Sequence, residues 1–332
     1  MFSTLASGVH SLVDCNPTSD SFRADVQEGL NREDKHIPSK YLYDERGSAL
    51  FDKICELDAY YPTRTEKQIM RTYESEIATA VGAHAAILEY GSGSSEKTHL
   101  LLQALESPAA YVPIDISKEH LMAAAERIAD SFPNLPVMPV CADYTARVPM
   151  PVQKEAYRRA LAYYPGSTIG NFLPERAVSF LAQMRAQVGE GGGILIGVDL
   201  KKDPDRLRHA YNDPKGVTAA FNKNLLRRIN KELGADFNLD AFKHEARWVS
   251  EEGRIEMHLV STRAQAVRIV DETISFEEGE SICTEYSHKY TIEGFTALAR
   301  QAGLGINATW TDADSLFSIH YATPTNGVVS DS

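Results

Sequence analysis

The ten residues SICTEYSHKY, Ser281 to Tyr290, set a carboxylate, a hydroxyl and an ammonium at alternate positions: Glu285, Ser287 and Lys289. In a strand, alternate side chains share one face, so these three would project together and His288 would point the other way. Such a face either reads a ligand or is solvated, and for Glu, Ser and Lys the solvated reading is the ordinary one. Lys289 has no assigned chemistry and is expected to face solvent. A second stretch, EYGSGSSEKT, Glu89 to Thr98, ends a short apolar run and opens a helical one. Glycines there let the backbone approach a ligand, and the N–H groups of a helix start favour polar or negative groups. A Gly-x-Gly alone equally makes an ordinary turn. Asp115 ends the next apolar run, where an acidic residue commonly takes a ribose hydroxyl pair. Asp143 and Tyr144 end the third, where a carboxylate and a ring could hold an adenine amine and face.

Two nucleoside cofactors compete for that set. NAD favours Gly-x-Gly-x-x-Gly, but the position three after Gly93 is Glu96. S-adenosylmethionine has no phosphates to cradle and needs ribose, adenine and amino-acid contacts, which these residues offer. It is the favoured ligand.

These residues need a scaffold, and the hydrophobic rhythm from residue 86 onward predicts one. AAILEYGSG, AYVPIDIS, PVMPVCADYT, GSTIGNF and ILIGVDL read as five strands. Between them lie helical stretches such as KTHLLLQAL, KEHLMAAAERIADSF and PERAVSFLAQMRAQV, the last with Pro174 at its start. Alternation of this kind implies an α/β fold with a doubly wound parallel sheet. The rhythm breaks after Leu200: a loop and helix lead to FKHEARWVSEEGRIEMHLVST, which reads as two strands around a Glu-Glu-Gly turn. It resumes with TIEGFTALARQAG and a final hairpin, so a segment long enough for its own lobe is inserted before the last helix. Residues 1–20, rich in Ser, Asp and Asn, are expected to be mobile.

Composition narrows the function classes. At 332 residues, 43% hydrophobic and 24% charged, the chain has the make-up of a soluble protein with one large or two smaller domains. A net charge of -12 with no long Lys/Arg cluster argues against nucleic acid. No apolar run approaches the roughly 18–20 residues of a membrane span, and the first residues show no basic segment followed by a continuous apolar one, so a cytoplasmic protein is expected. Cys15, Cys55, Cys141 and Cys283 form no CxxC pair, and His99, His244, His258 and His288 form no metal-binding spacing; no metal is expected.

Four stretches, YLYDERGSALFDKICELDAYYPTRTE, LEYGSGSSEKT, PGSTIGNFLPER and CTEYSHKYTIEGF, together resemble the histidine-specific methyltransferases of ergothioneine biosynthesis. The likeness runs from about residue 35 to about 325. It implies a class I (Rossmann-like) methyltransferase with a seven-stranded doubly wound sheet and an inserted α+β substrate-binding domain. The implied layout is a flexible 1–20, a substrate-binding domain of 21–62 and 201–287, and a methyltransferase domain of 63–200 and 288–326. The implied reaction transfers three methyl groups from S-adenosylmethionine to the α-amine of L-histidine, giving hercynine; a monomer is expected. By the same resemblance Gly91, Lys97, Asp115, Asp143 and Tyr144 contact S-adenosylmethionine, and Tyr61, Asn171, Tyr211, Glu285 and Ser287 hold histidine. Met257 would lie near the ring and Tyr43 near the amine, although each serves equally as a packing residue.

The chemistry fits free histidine. Asn171 and Tyr211 would grip the carboxylate as neutral donors, while their plainer roles are a helix cap and lobe packing. A neutral imidazole has one N–H and one bare nitrogen, so an acceptor, Glu285, and a hydroxyl, Ser287, two residues apart can address both. The rival enzyme is an N-methyltransferase of another aromatic amino acid such as a tryptophan derivative, whose ring has no second nitrogen. An NAD-dependent oxidoreductase and a binding protein that has lost turnover are further alternatives.

Overall fold

The structure is a computed structural model that describes residues 8–15, 19–93 and 95–325. In chain order the strands are β1 (Val13–Asp14), β2 (Ala85–Tyr90), β3 (Ala110–Asp115), β4 (Val140–Cys141), β5 (Arg159–Tyr164), β6 (Gly193–Asp199) and β7 (Phe242–Val249). They continue with β8 (Arg254–Ser261), β9 (Gln265–Ile269), β10 (Glu272–Phe276), β11 (Ser281–His288), β12 (Leu304–Thr311) and β13 (Phe317–Pro324). The chain divides into two compact units: Met1–Pro17, Pro62–Lys201 and Tyr290–Ser332 form the first, and Thr18–Tyr61 with Lys202–Lys289 the second.

The first unit is built on an eight-stranded sheet of order β1-β4-β3-β2-β5-β6-β13-β12. Every pair from β1 to β6 is parallel, whereas β13 runs antiparallel to both β6 and β12. Strand β2 explains the two-layered core. Its six residues are all buried, and alternate side chains enter opposite layers. Ala86, Leu88 and Tyr90 pack with Ala177, Phe180, Leu181 and Phe295; Ala85 and Ile87 pack with Ile69, Ile77, Leu101 and Ile128. Both faces are therefore covered by helices, as a parallel sheet requires. Strand order reverses between β2 and β5, which makes the carboxyl ends of those two strands the place where an open α/β sheet accepts ligands.

Three expectations are corrected here. The sheet has eight strands rather than seven, because Val13–Asp14 adds a short parallel strand at the β4 edge. This same pairing overturns the mobility expected of residues 8–15: Val9 is buried, and His10 and Cys15 donate backbone hydrogen bonds to Val137 and Cys141. The rest of that N-terminal expectation lies outside the described residues, apart from the start of a helix at Ser19. Finally, the fourth strand is Arg159–Tyr164, and GSTIGNF forms a 3₁₀ turn, Thr168–Asn171. RALAYY offers a continuous apolar run, but the preceding charges masked its start; Ser167 at φ 61° and Gly166 at φ 79° bend the chain into the turn.

The second unit holds a three-stranded antiparallel sheet, β11-β8-β7, and the hairpin β9–β10. The β7–β8 turn falls on the expected Glu-Glu-Gly, whereas the β9–β10 hairpin was not anticipated. Helix Val217–Leu233 packs on β7 and β8 and is tied in by Asn222, whose amide donates to His258 O at 3.1 Å and accepts from Thr284 Oγ1 at 2.6 Å. Helix Glu45–Cys55 is capped by Asp44, which accepts from Gly47 N and also from Asn224 Nδ2 at 2.7 Å. Among the described residues no helix is long and apolar enough to cross a membrane.

Candidate functional site

In the first unit the glycine loop leaves β2 at a position only a flexible backbone can take: Gly91 has φ 78° and Gly93 φ 45°. Gly91 N donates to Ile114 O, at the end of β3. A Cβ on Gly91 would lie 3.8 Å from the Tyr144 ring, so loop and ring are neighbours. The Asp115 carboxylate accepts a backbone hydrogen bond from Ser117 N at 2.9 Å. Desolvation still raises its pKa above the ordinary value. Tyr144 packs in an aromatic group with Tyr90, Tyr164 and Phe180. Asp143 Oδ1 caps its own turn through Thr145 N and Oγ1. Gly91, Asp115 and Tyr144 are thus brought together.

Glu89, just before the loop, is buried and accepts from Thr98 Oγ1 at 2.5 Å and from Tyr111 Oη. Burial pushes its pKa up to about 7. Lys97, on the helix that follows the loop, donates to Glu66 at 2.7 Å. Glu66 is itself fixed, 1% exposed, by Gly166 N at 3.1 and 3.0 Å from its two oxygens. A Cβ on Gly197 would stand 2.3 Å from Glu66 Oε1, so β6 leaves this carboxylate its space. Glu66 was not singled out from the sequence, although it closes the YYPTRTE motif and only its acidity on an otherwise ordinary helix could have marked it. Asn171 ends the 3₁₀ turn after β5, partly buried, rather than a strand.

The second unit brings together a buried polar cluster. Tyr211, the last residue of helix Pro204–Tyr211, places Oη 2.7 Å from Ser287 Oγ on β11. The end of that helix is held by His244 Nε2, which donates to Tyr211 O at 2.8 Å while its Nδ1 accepts from Asn222 Nδ2 at 2.9 Å. Burial keeps His244 below the ordinary histidine pKa, consistent with that neutral tautomer. Glu285 is buried on β11 directly across from Met257 on β8, and its pKa is pushed up to about 7 by burial, with Lys289 opposing. Tyr60 packs edge-on against Tyr211 and lies in the field of Glu285, and burial holds its hydroxyl well above the ordinary tyrosine pKa.

Lys289 corrects the expectation of a solvent-facing side chain. It is 2% exposed and donates from Nζ to Tyr211 Oη at 2.9 Å and to Ser287 Oγ at 2.7 Å. The alternation Glu285, Ser287, Lys289 was itself the signal, since three members of one face share one environment; the solvated reading of that face is overturned. Two further residues named from the sequence make contacts of their own. Tyr43 packs its ring against Phe51 and Phe221, while Tyr61 accepts from Lys202 Nζ at 2.7 Å and has Lys202 and Arg206 over its ring.

Glu256, His258 and Cys283 offer ligand atoms within 4.8 Å of one another. They are engaged otherwise. Glu256 is bonded to His258 Nε2 at 2.9 Å and to Arg254 at 2.7 Å, which hold its carboxylate down at about 2; burial pushes the Cys283 thiol up to about 12. A guanidinium beside the group and a thiol resistant to ionisation oppose cation binding.

Comparison with known proteins follows the same lines. Residues 22–324 match the family described as histidine-specific methyltransferase, SAM-dependent. The histidine N-alpha-methyltransferase of Mycolicibacterium smegmatis is 41% identical over 312 residues, covering 92% of this chain and 95% of that one. The protein of the same name from Mycobacterium tuberculosis is 41% identical, covering 91% and 94%. Ergothioneine biosynthesis protein 1 of Neurospora crassa is 31% identical, covering 83% of this chain and 32% of that longer protein.

Proposed function

The chain belongs to the family of histidine-specific, S-adenosylmethionine-dependent methyltransferases, and from that premise we propose that it converts L-histidine to its Nα-trimethyl betaine, hercynine. The observation that carries this reading is the buried pairing of an acceptor, Glu285, with a hydroxyl, Ser287, on a strand face the sequence would otherwise leave to water. The pair suits an imidazole, giving its N–H an acceptor and its bare nitrogen a donor. Met257, opposite Glu285, offers an adaptable apolar wall. Tyr211 faces the substrate carboxylate, and Asn171 keeps the same role by resemblance. Tyr61 and Tyr43 are retained as a histidine contact and as the tyrosine near the amine.

On this reading the first unit is the methyltransferase domain, with a class I fold, and the second binds substrate. Gly91, Asp115, Asp143, Tyr144 and Lys97 hold S-adenosylmethionine. The donor set fits it: a loop open to close approach, a fixed carboxylate for the ribose hydroxyls, an aromatic group for adenine and a lysine for the amino-acid carboxylate. Bound S-adenosylmethionine supplies an electrophilic sulfonium methyl group. The protein's task is then alignment, which can lower a barrier by ~7–11 kcal/mol. Tyrosine hydroxyls whose pKa is raised by burial, such as Tyr60, stay protonated and cannot serve as the base, so the α-amine gives its proton to water. The protein acts as a cytoplasmic monomer without a metal.

Glu66 holds Lys97 in place for this role. Glu66→Gln is expected to weaken S-adenosylhomocysteine binding on the order of tenfold, the scale of one charge-assisted hydrogen bond, with histidine affinity retained. Titration calorimetry checks it. The function itself is tested by incubating purified protein with S-adenosylmethionine and histidine and identifying the product by mass spectrometry; absence of trimethylated histidine refutes it.

A further inference from the structure

The buried ammonium of Lys289 has no part in the chemistry described so far. Its backbone is anchored by a hydrogen bond from its N–H to Gly253 O at 2.9 Å, and its Nζ lies 4.7 Å from the centre of the Tyr211 ring. An ammonium only donates, so the oxygens of both Tyr211 and Ser287 accept from it. These oxygens also lie 2.7 Å apart, where one hydroxyl donates to the other. Whichever does so, the remaining hydroxyl has its own hydrogen to give to an acceptor beyond the trio. Without the lysine, each hydroxyl could turn and accept instead. With it, the pair presents a donor.

We propose that Lys289 is a positioning residue for substrate: acting through Tyr211 and Ser287, it commits the one hydroxyl of the pair that keeps its hydrogen to donate toward an acceptor atom of the ligand. This deepens, and rests on, the reading of the cluster as a histidine site. Beside Glu285, an acceptor, the one committed donor makes the face complementary to a group that offers one N–H and one lone pair. Among aromatic amino acids a neutral imidazole is that group, whereas an indole offers an N–H alone. The positive charge of Lys289 also opposes protonation of Glu285, supporting its accepting form.

The test is a double-mutant cycle read by calorimetry of histidine binding to the protein saturated with S-adenosylhomocysteine. Lys289→Met is expected to weaken histidine binding about 10- to 100-fold, the range for hydrogen bonds to a charged group, with S-adenosylhomocysteine affinity unchanged. In a Tyr211→Phe/Ser287→Ala background the same substitution should cost less than about threefold, because the groups it acts through are gone. An equal loss in both backgrounds, an equal loss for both ligands, or unchanged histidine binding overturns the proposal. Should Lys289→Met not fold, Lys289→Gln takes its place, since an amide can accept as well as donate and no longer commits that hydroxyl; the same outcomes decide. Wild-type protein that binds no histidine overturns the function and this inference together. Wild-type binding with undiminished binding by the variant overturns the inference alone.

Discussion

Glu285→Ala is expected to lower kcat/KM for histidine by about 10³-fold or more, because a site built to hydrogen-bond a substrate group loses most when one partner is left unmatched. The affinity for S-adenosylhomocysteine should not change, and comparable losses for both ligands would indicate a structural role instead. Glu285→Gln adds a second signature. Burial raises this carboxyl from the ordinary 4.5 to about 7, so the fold favours its neutral form. A raised folded-state value contributes stability that is fully present below pH 4.5 and is lost as pH rises through about 7. At pH 8 the buried charge therefore costs on the order of 3 kcal/mol. Thermal melts should show Glu285→Gln more stable than wild type at pH 8, with the difference closing toward pH 4.5. A residue that weakens the fold at working pH and is required for turnover is one retained for its chemistry.

The second large effect is expected at Asp115. Its carboxylate is assigned the ribose hydroxyl pair, and it also accepts the backbone N–H of Ser117 at 2.9 Å, so alanine removes a ligand contact and the bond that fixes the turn after β3 at once. Two hydrogen bonds to a charged group give a loss of at least about 100-fold in S-adenosylmethionine affinity. Asp115→Asn keeps one neutral acceptor and should fall between alanine and wild type. Calorimetry with S-adenosylhomocysteine measures both. A loss of threefold or less for Asp115→Ala would remove this residue from the cofactor site.

Much of the first unit was legible because its strands are continuous apolar runs closed by glycine or aspartate, as in AAILEYGSG and AYVPIDIS. Two-residue strands such as β1 and β4 leave no such trace, being defined by partners distant in sequence. RALAYY and GSTIGNF show the limit differently: either run could supply an apolar strand, and a left-handed Ser167 decided which did. In the second unit, period-two spacing gave the shared face of Glu285, Ser287 and Lys289, but not whether that face meets water. Burial depends on what packs over a strand, here Tyr211 and Tyr60 from elsewhere in the chain. Glu66 was hidden for a related reason, since its importance comes from Lys97 and Gly166, which are far from it in sequence.

The central claim is that this buried face selects an imidazole. It is tested most directly by letting equimolar histidine, tryptophan and tyrosine compete for S-adenosylmethionine in one reaction and quantifying each methylated product by mass spectrometry. The structure predicts trimethylated histidine in large excess over both others. Preferential methylation of tryptophan or tyrosine would contradict the account.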